Sequence, residues 1–489
     1  MSNGVPKIRV RKINDTEIQS NGDYVLYWMT AYRRIKWNFS LQRAVEWALE
    51  LNKPLVILEA LRCGYPWASD RIHRFIMDGM AQHARQLKAR KSVIYYPYLE
   101  KRPGDGKGFL KALSKKACLV VTDDFPCFFF PHMLASASRQ IDVPMETVDS
   151  GGLLPMRAAA QVFPTAYAFR RFLQKVLPKH LMDFPKPDPL KNIRLSPIEG
   201  IPNTIVKRWP KASISELVDK KTVSGIILDH DVPVVSLQGG TPPAEKILQM
   251  FLEERLPVYH EKHNEPEEEG TSGLSPYLHF GHISVYQVFH ELAEMEDWFF
   301  HRLSENTKGS KKGWWGMSAA AEAFLDELVT WRELGFNMCW QWRNYDRYVS
   351  LPHWARSTLE AHAFDERPYR YGMKDFETAK THDPLWNAAQ IQLFKEGKIH
   401  NYLRMLWGKK ILEWSDSPQK ALDIMVHLNN KYALDGRDPN SYSGIFWILG
   451  RYDRAWGPER PIFGKIRYMS SKNTARKFKV TKYIEKYSP

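Results

Sequence analysis

The sequence predicts two halves of different class: an N-terminal α/β half on a doubly wound, parallel, five-stranded sheet, then an all-α half. Three observations carry this. Between residues 24 and 149, apolar strand-like runs alternate with amphipathic helical stretches. Proline-punctuated segments such as "DFPKPDPL" and "HDVPVVSLQGGTPP" then break that rhythm. Beyond them helical periodicity runs nearly to the C-terminus, and strand-like runs largely vanish. The division expected is a tail over 1–20, an α/β domain over 21–182, a linker over 183–243 and a helical domain over 244–489.

Each element has its own signal. "YVLYWM" reads as a buried first strand, and "SLQRAVEWALELNK" as an amphipathic helix opened by a Ser40 cap. "PLVILEAL" gives the second strand, a long helix follows Ser69, and "SVIYYPYL" gives the third. "GFLKALSKKA" is helical, "LVVTDD" a strand, "HMLASASRQI" helical, and "VPMETVD" a last strand ending at Asp149. One short helix is expected in the linker, near "SISELVDK". The second half reads as helices over "AEKILQMFLEERL", "SVYQVFHELAEMEDWFFHRL", "AAAEAFLDELVTWRELGFNMCW", "PLWNAAQIQLFKEGKIHNYLRMLWGKKILEW" and "SPQKALDIMVHLNNKY".

Composition narrows the function. Seventy Lys and Arg against 55 Asp and Glu give a net charge of +15, which points to a polyanionic partner, nucleic acid before membrane. Residues 441–489 hold 11 basic and 3 acidic side chains, about half of that excess. Cys63, Cys118, Cys127 and Cys339 are scattered, with no paired spacing, and read as reduced thiols. No signal-peptide core and no run of membrane-spanning length is visible, so a cytoplasmic protein is expected, nucleoid-associated or nuclear according to the cell type. No G-x-G-x-x-G follows the first strand and no G-x-x-x-x-G-K-[ST] occurs, which leaves the usual dinucleotide reading of the α/β half unsupported.

Several stretches of the helical half are candidates for chemistry. "TSGLS", Thr271, Ser272, Gly273, Leu274 and Ser275, offers hydroxyls and free N–H groups at a helix start, which suits phosphate oxygens. In "FLDELVTWREL", Glu327 and Trp331 stand four apart on one α-helical face, a carboxylate beside an indole. "LNNKYALDGRDPN" misses the calcium-loop spacing, and no metal is expected. Trp407 and Trp414 lie seven residues apart, roughly 10 Å along a helix axis, with Trp386 upstream. Each pattern alone is more often capping or core packing.

Together they are more specific. "TSGLSPYLHFG", "ELVTWREL", "THDPLWNAAQ", "YLRMLWGKKILEW", "LNNKYALDGRDPN" and "ERPIFGKIRYM", in this order behind an α/β half, closely resemble the class II cyclobutane pyrimidine dimer photolyases of the photolyase/cryptochrome superfamily. The resemblance covers about residues 22–483. It departs from the family pattern at Ile399, where Met is usual, at Asn401, where Gly is usual, in "TWRELGFNM", which replaces "RRELADNF" variants, and in "RRIKWNFSL", which lacks an Asp.

The resemblance implies the photolyase/cryptochrome fold, FAD in the helical half, and light-driven electron transfer from reduced FAD to a flipped-out dimer in DNA, acting as a monomer. It places Tyr259, Thr271 to Ser275, Arg332, Arg404, Asn429, Asp435 and Asp438 around FAD, with Arg404 and Asp435 as an ion pair and Asn429 as an uncharged amide beside the flavin. It makes Glu327 and Asn429 catalytic, and sets Glu327, Trp331, Met405 and Trp447 against the dimer. It orders Trp407, Trp386 and Trp414 as an electron chain, with Trp407 innermost and Trp414 its exposed end. Arg451, Arg454, Arg467 and Lys472 are the DNA-contact candidates on the basic tail. An antenna chromophore of unknown identity is possible in the α/β half. The alternatives are a cryptochrome-like photoreceptor without repair activity, repair of the (6-4) photoproduct, or a flavin-free nucleic-acid-binding relic.

Overall fold

Six strands form one sheet in the computed structural model, which describes residues 4–488. They are β1 (Val10–Lys12), β2 (Tyr24–Met29), β3 (Leu55–Leu61), β4 (Val93–Leu99), β5 (Ala117–Asp123) and β6 (Met145–Val148), in the order β1-β6-β5-β2-β3-β4. All pairings from β6 to β4 are parallel, as the sequence predicts. The sixth strand is a correction to the five expected: β1 lies in the expected tail and pairs antiparallel with β6, Val10 opposite Val148.

Every residue of β2 and β5 is buried, because helices on both faces of a parallel sheet leave no polar side. The strand order reverses at β2, between β3 and β5, and Asp123 at the end of β5 organises the loop leaving β2. Its Oδ2 accepts the N–H groups of Thr30, Ala31 and Tyr32 at 2.8, 2.8 and 3.0 Å, and its Oδ1 accepts the Tyr27 hydroxyl at 2.9 Å.

The helices of this region are α1 (Phe39–Glu50), α2 (Asp70–Leu87), α3 (Phe109–Ser114) and α4 (Phe130–Ser138). The cap of α1 is Asn38, whose side chain accepts from Ser40 and Leu41 N–H, rather than Ser40. Ser40 lies inside the helix and donates to the Val148 carbonyl. The proline-punctuated stretch carries three short helices, Asn203–Arg208, Ile214–Val218 and Lys221–Ser224, where one was expected. It is anchored: Trp209 stacks on Phe109 at 5.2 Å and its indole N–H donates to the Asp105 carbonyl.

The chain folds into two compact units, neither continuous in sequence. The first comprises Met1–Ala158, Leu177–Leu248 and Leu274–Glu291; the second comprises Ala159–Val176, Gln249–Gly273 and Leu292–Pro489. Helices dominate the second, notably Arg332–Gln341, Pro384–Glu396, Asn401–Trp414, Pro418–Tyr432 and Pro439–Ile448. No helix among the described residues is long and apolar enough to cross a membrane.

Candidate functional site

The stretch carrying Glu327 and Trp331 is not a continuous α-helix. Ala319–Leu325 is α-helical from its Ser318 cap, but Asp326–Trp331 is a π-turn, and α geometry resumes at Arg332–Gln341. This corrects the uniform α-helix expected; single π-turns inside helices recur at functional sites. Asp326 anchors the turn. It takes a two-pronged bond from Arg170, Nε to Oδ1 at 2.8 Å and Nη2 to Oδ2 at 3.1 Å, with Lys311 Nζ at 3.6 Å.

Glu327 is left in a different state. Burial, reinforced by the neighbouring Asp326 charge, pushes its carboxyl up to about 7 against the pull of Lys311 and Arg170. A carboxyl near neutral can donate a proton into a hydrogen bond as well as accept one. At the other end of the turn, the Trp331 indole stacks on Trp447, centroids 4.8 Å apart and planes 26° from parallel. Both indoles are half-buried, as is Met405 on Asn401–Trp414, so part of each side chain remains accessible.

Arg404, on the same helix as Met405, donates from Nη2 to both Asp435 oxygens at 3.1 and 3.3 Å, the expected ion pair. Asn429 is buried and its amide is oriented by donation to Ser441 Oγ at 2.6 Å, a partner the sequence did not single out. Asp438 caps Pro439–Ile448 by accepting the Asn440 N–H at 2.9 Å. Arg332 is buried with its guanidinium over the Phe336 ring at 4.4 Å. Tyr259 is buried, stacked on His263 at 4.8 Å and edge-on to Phe324, and burial raises its phenol. Thr271 and Ser272 are half-buried and Gly273 is exposed, with Gly273 at φ 71°, where glycine is favoured. Leu274 and Ser275 fall in the first unit, where Ser275–His279 is a helix of five residues.

His400 was missed. It directly precedes Asn401–Trp414, and both of its ring nitrogens are buried without a hydrogen-bond partner, while burial drives its pKa down to about 4. Buried polar atoms are rarely left so. A ligand offering polar atoms here would satisfy them.

The three tryptophans meet in space. Trp386 donates its indole N–H to the Trp407 carbonyl at 2.9 Å and lies edge-on to Trp414, centroids 6.0 Å apart. Trp386 therefore touches the backbone of one and the ring of the other. Trp414, expected as the exposed end, is only 2% exposed. Tyr371, His382 and Phe376 surround its ring at 5.7, 4.9 and 6.5 Å.

Of the four DNA-contact candidates, Arg451 is displaced to the interior. It is 2% exposed, bonds the Ser350 carbonyl and hydroxyl, and lies over the Trp342 ring at 4.6 Å. Arg454, Arg467 and Lys472 are exposed, the two arginines over the Trp456 ring at 4.8 and 5.4 Å.

An α/β sheet unit and a helical unit with such a site define a protein of the photolyase/cryptochrome superfamily, and comparisons with known proteins agree. The chain is 33% identical over 479 residues to the deoxyribodipyrimidine photolyase of Methanothermobacter thermautotrophicus, covering 98% of this chain and 97% of that one. It is also 33% identical to the deoxyribodipyrimidine photolyase of Potorous tridactylus, over 99% of this chain and 85% of that one. Similarity to Cryptochrome-2 of Arabidopsis thaliana, at 30% identity, spans 45% of this chain and 37% of that one. The fold matches the crystal structure of a bacterial class III photolyase from Agrobacterium tumefaciens with a TM-score of 0.67 over 95% of this chain and 86% of that one, at 16% identity. It also matches an archaeal photolyase from Sulfolobus tokodaii, with a TM-score of 0.62 over 95% and 90% of the two chains, at 13% identity. No family model matches. The chain belongs to the deoxyribodipyrimidine photolyase family, enzymes of light-driven DNA repair.

Proposed function

We propose that this protein is a class II enzyme that splits cyclobutane pyrimidine dimers in DNA, using reduced FAD in the helical unit. The observation that carries the reading is the π-turn Asp326–Trp331, which sets a near-neutral carboxyl at one end and a half-exposed indole stack at the other. That pairing suits a flipped-out dimer, whose rings need apolar faces and whose carbonyl and amide edges need a donor and an acceptor.

The residues present fit FAD. The Arg404–Asp435 pair, the Asn429 amide held by Ser441, the Tyr259 ring, the Thr271–Gly273 loop and the unpartnered His400 ring supply the mix of charge, amide and hydroxyl groups that FAD recognition needs. Bound and reduced, FAD would supply under light the electron that opens the cyclobutane ring and would take it back once the two pyrimidines separate, with no net redox change. Asn429 would present a neutral amide to the flavin, where a carboxylate would oppose negative charge. Below about pH 7 Glu327 holds its proton and donates it into a hydrogen bond to a dimer carbonyl oxygen, the atom on which negative charge arrives. Trp331 and Trp447, with Met405, bear the pyrimidine faces and keep water from the ring bonds. Trp386, touching both Trp407 and Trp414, would be the middle carrier through which an external reductant supplies electrons to oxidised flavin.

A second cofactor, an antenna, belongs to the sheet unit in this reading. The Sulfolobus tokodaii photolyase is described with two FAD molecules, which imply a novel light-harvesting cofactor in that protein. Past the carboxyl ends of β3 and β5 here, Trp67 and Phe128 stack at 5.9 Å, both held in the left-handed backbone region at φ 61° and 59°.

The test is illumination of pre-reduced, FAD-loaded protein with two oligonucleotides, one carrying a thymine dimer and one a (6-4) photoproduct. Restored thymines in the first and none in the second are expected. Restoration only in the second reassigns the substrate, and restoration in neither leaves the photoreceptor reading.

A further inference from the structure

Arg454, Arg467 and Lys472 make the C-terminal segment one exposed cationic surface, and a second lies in the same unit. Helix Ala166–Val176 and the loop 303–318 are locked together by Gln174, which is buried. Its Oε1 accepts the Gly309 N–H at 2.7 Å and its Nε2 donates to the Ser310 carbonyl at 2.8 Å. Gly309 sits at φ 85°, and a Cβ there would come within 2.6 Å of Arg171 Cγ, so the loop approaches the helix as only glycine allows.

This union displays cations in a group. Arg171, Lys175, Lys308, Lys311 and Lys312 are exposed, and among the described residues only Lys311 of the five makes an ion pair. Tyr167 is 55% exposed beneath the Arg171 guanidinium, 5.9 Å from its ring. Of the acids nearby, Asp326 is buried and already held by Arg170 and Lys311. Glu322 is buried and accepts the N–H groups of Gly313, Trp315 and Gly316. Glu305 is the one exposed acid of the loop, outnumbered by the five cations. Four exposed cations without ion-pair partners, beside an exposed aromatic ring, make a surface of positive potential that attracts a polyanion.

We propose that this face is a second phosphate-binding surface for DNA, contacting the strand that flanks the lesion. It rests on the reading of DNA as substrate. The location supports it: Lys311 reaches from the loop to Asp326, the first residue of the π-turn that bears Glu327, so the patch borders the site. An acidic peptide would match the charge but has no reason to meet the dimer-binding turn.

The experiment compares Lys308→Glu/Lys312→Glu with the parent by fluorescence anisotropy on a dimer-containing duplex and an undamaged duplex, across a salt series. Each phosphate contact contributes about 0.9 to the slope of log affinity against log salt. The slope should flatten by about 2 on both duplexes, with the preference for the dimer nearly unchanged and FAD absorbance and melting temperature as in the parent. The charge-neutral Lys308→Gln/Lys312→Gln should give the same direction with a smaller affinity loss. Parent affinity and slope in both variants would overturn the proposal. A companion, Arg454→Glu/Arg467→Glu, separates the two failures. If it alone flattens the slope, DNA is the substrate but this face does not touch it; if no variant alters binding, the DNA reading itself falls.

Discussion

Glu59 in the sheet unit, fully buried, and Glu327 in the helical unit, half-buried, are carboxylates that end in opposite states. Glu59 accepts from Arg33 at 3.1 Å, His83 Nδ1 at 2.9 Å and the Tyr95 hydroxyl at 2.6 Å. Burial alone would raise it, but His83, Arg33 and Tyr95 outweigh that and hold it down to about 2. Glu327 has burial and Asp326 pushing the same way, and its opposing cations, Lys311 and Arg170, are engaged with Asp326. A carboxylate that is fully partnered is part of the scaffold; one held near neutrality with its hydrogen-bonding capacity unspent is available to a ligand.

Breaking the scaffold member should produce the largest effect. Glu59→Ala leaves the Arg33 guanidinium buried without its counter-charge, and such losses cost about 3–5 kcal/mol, read as a lowered denaturation midpoint. Because its folded pKa lies below the unfolded value, Glu59 contributes stability above about pH 4.5 that is lost as pH falls toward about 2.

Glu327 should behave with the opposite sign. Its folded pKa is raised, so the protein loses stability as pH rises from about 4.5 to about 7. Glu327→Gln should therefore equal the parent near pH 4.5 and exceed it by up to roughly 3 kcal/mol at about pH 8, by chemical denaturation. A parent more stable than the variant at that pH would mean that Glu327 is a structural ion after all.

Next in size is the effect on substrate. Glu327→Ala should keep FAD while weakening binding of a dimer-containing oligonucleotide by about 1–3 kcal/mol, the cost of leaving a buried dimer carbonyl without its hydrogen-bond partner. The smallest structural effect belongs to Trp386→Phe. It keeps a ring but loses the bond to the Trp407 carbonyl, about 1 kcal/mol, while photoreduction of oxidised FAD with external reductant should slow more than about tenfold. Repair by chemically pre-reduced protein should survive that substitution. Unchanged photoreduction in Trp386→Phe and Trp414→Phe would return all three indoles to the core.

How far these features could be read in the sequence follows from what each signal needs. β2 through β6 were legible because strands buried on both faces are continuous apolar runs bounded by turns. β1, "VRK", offers three residues, two of them basic, and owes its pairing to the β6 edge rather than to its own pattern. The α1 cap was misplaced because Asn38 and Ser40, both good caps, lie two apart, and only geometry chooses. The π-turn has the composition of ordinary helix, so nothing in "DELVTW" announces it. Arg451 sits among exposed basic residues in sequence, but its neighbours Trp342 and Ser350 come from a distant segment. The Trp414 exposure failed for a related reason: most of Asn401–Trp414 is buried, and the residues covering Trp414, Tyr371 and His382, come from a segment well before the helix, beyond the reach of any local pattern. The Arg404–Asp435 pair was legible only through the ordered motifs, never from local spacing.

The difference between the two carboxylates can be observed directly by infrared titration of the carboxyl stretch in the protein, parent minus Glu327→Gln. The account predicts a protonated-carboxyl band below the midpoint that is absent from the variant and disappears with a midpoint near pH 7, a pH at which Glu59 is long ionised. A difference spectrum with no protonated carboxyl on the acid side of that midpoint would show Glu327 ionised like Glu59, and would contradict it.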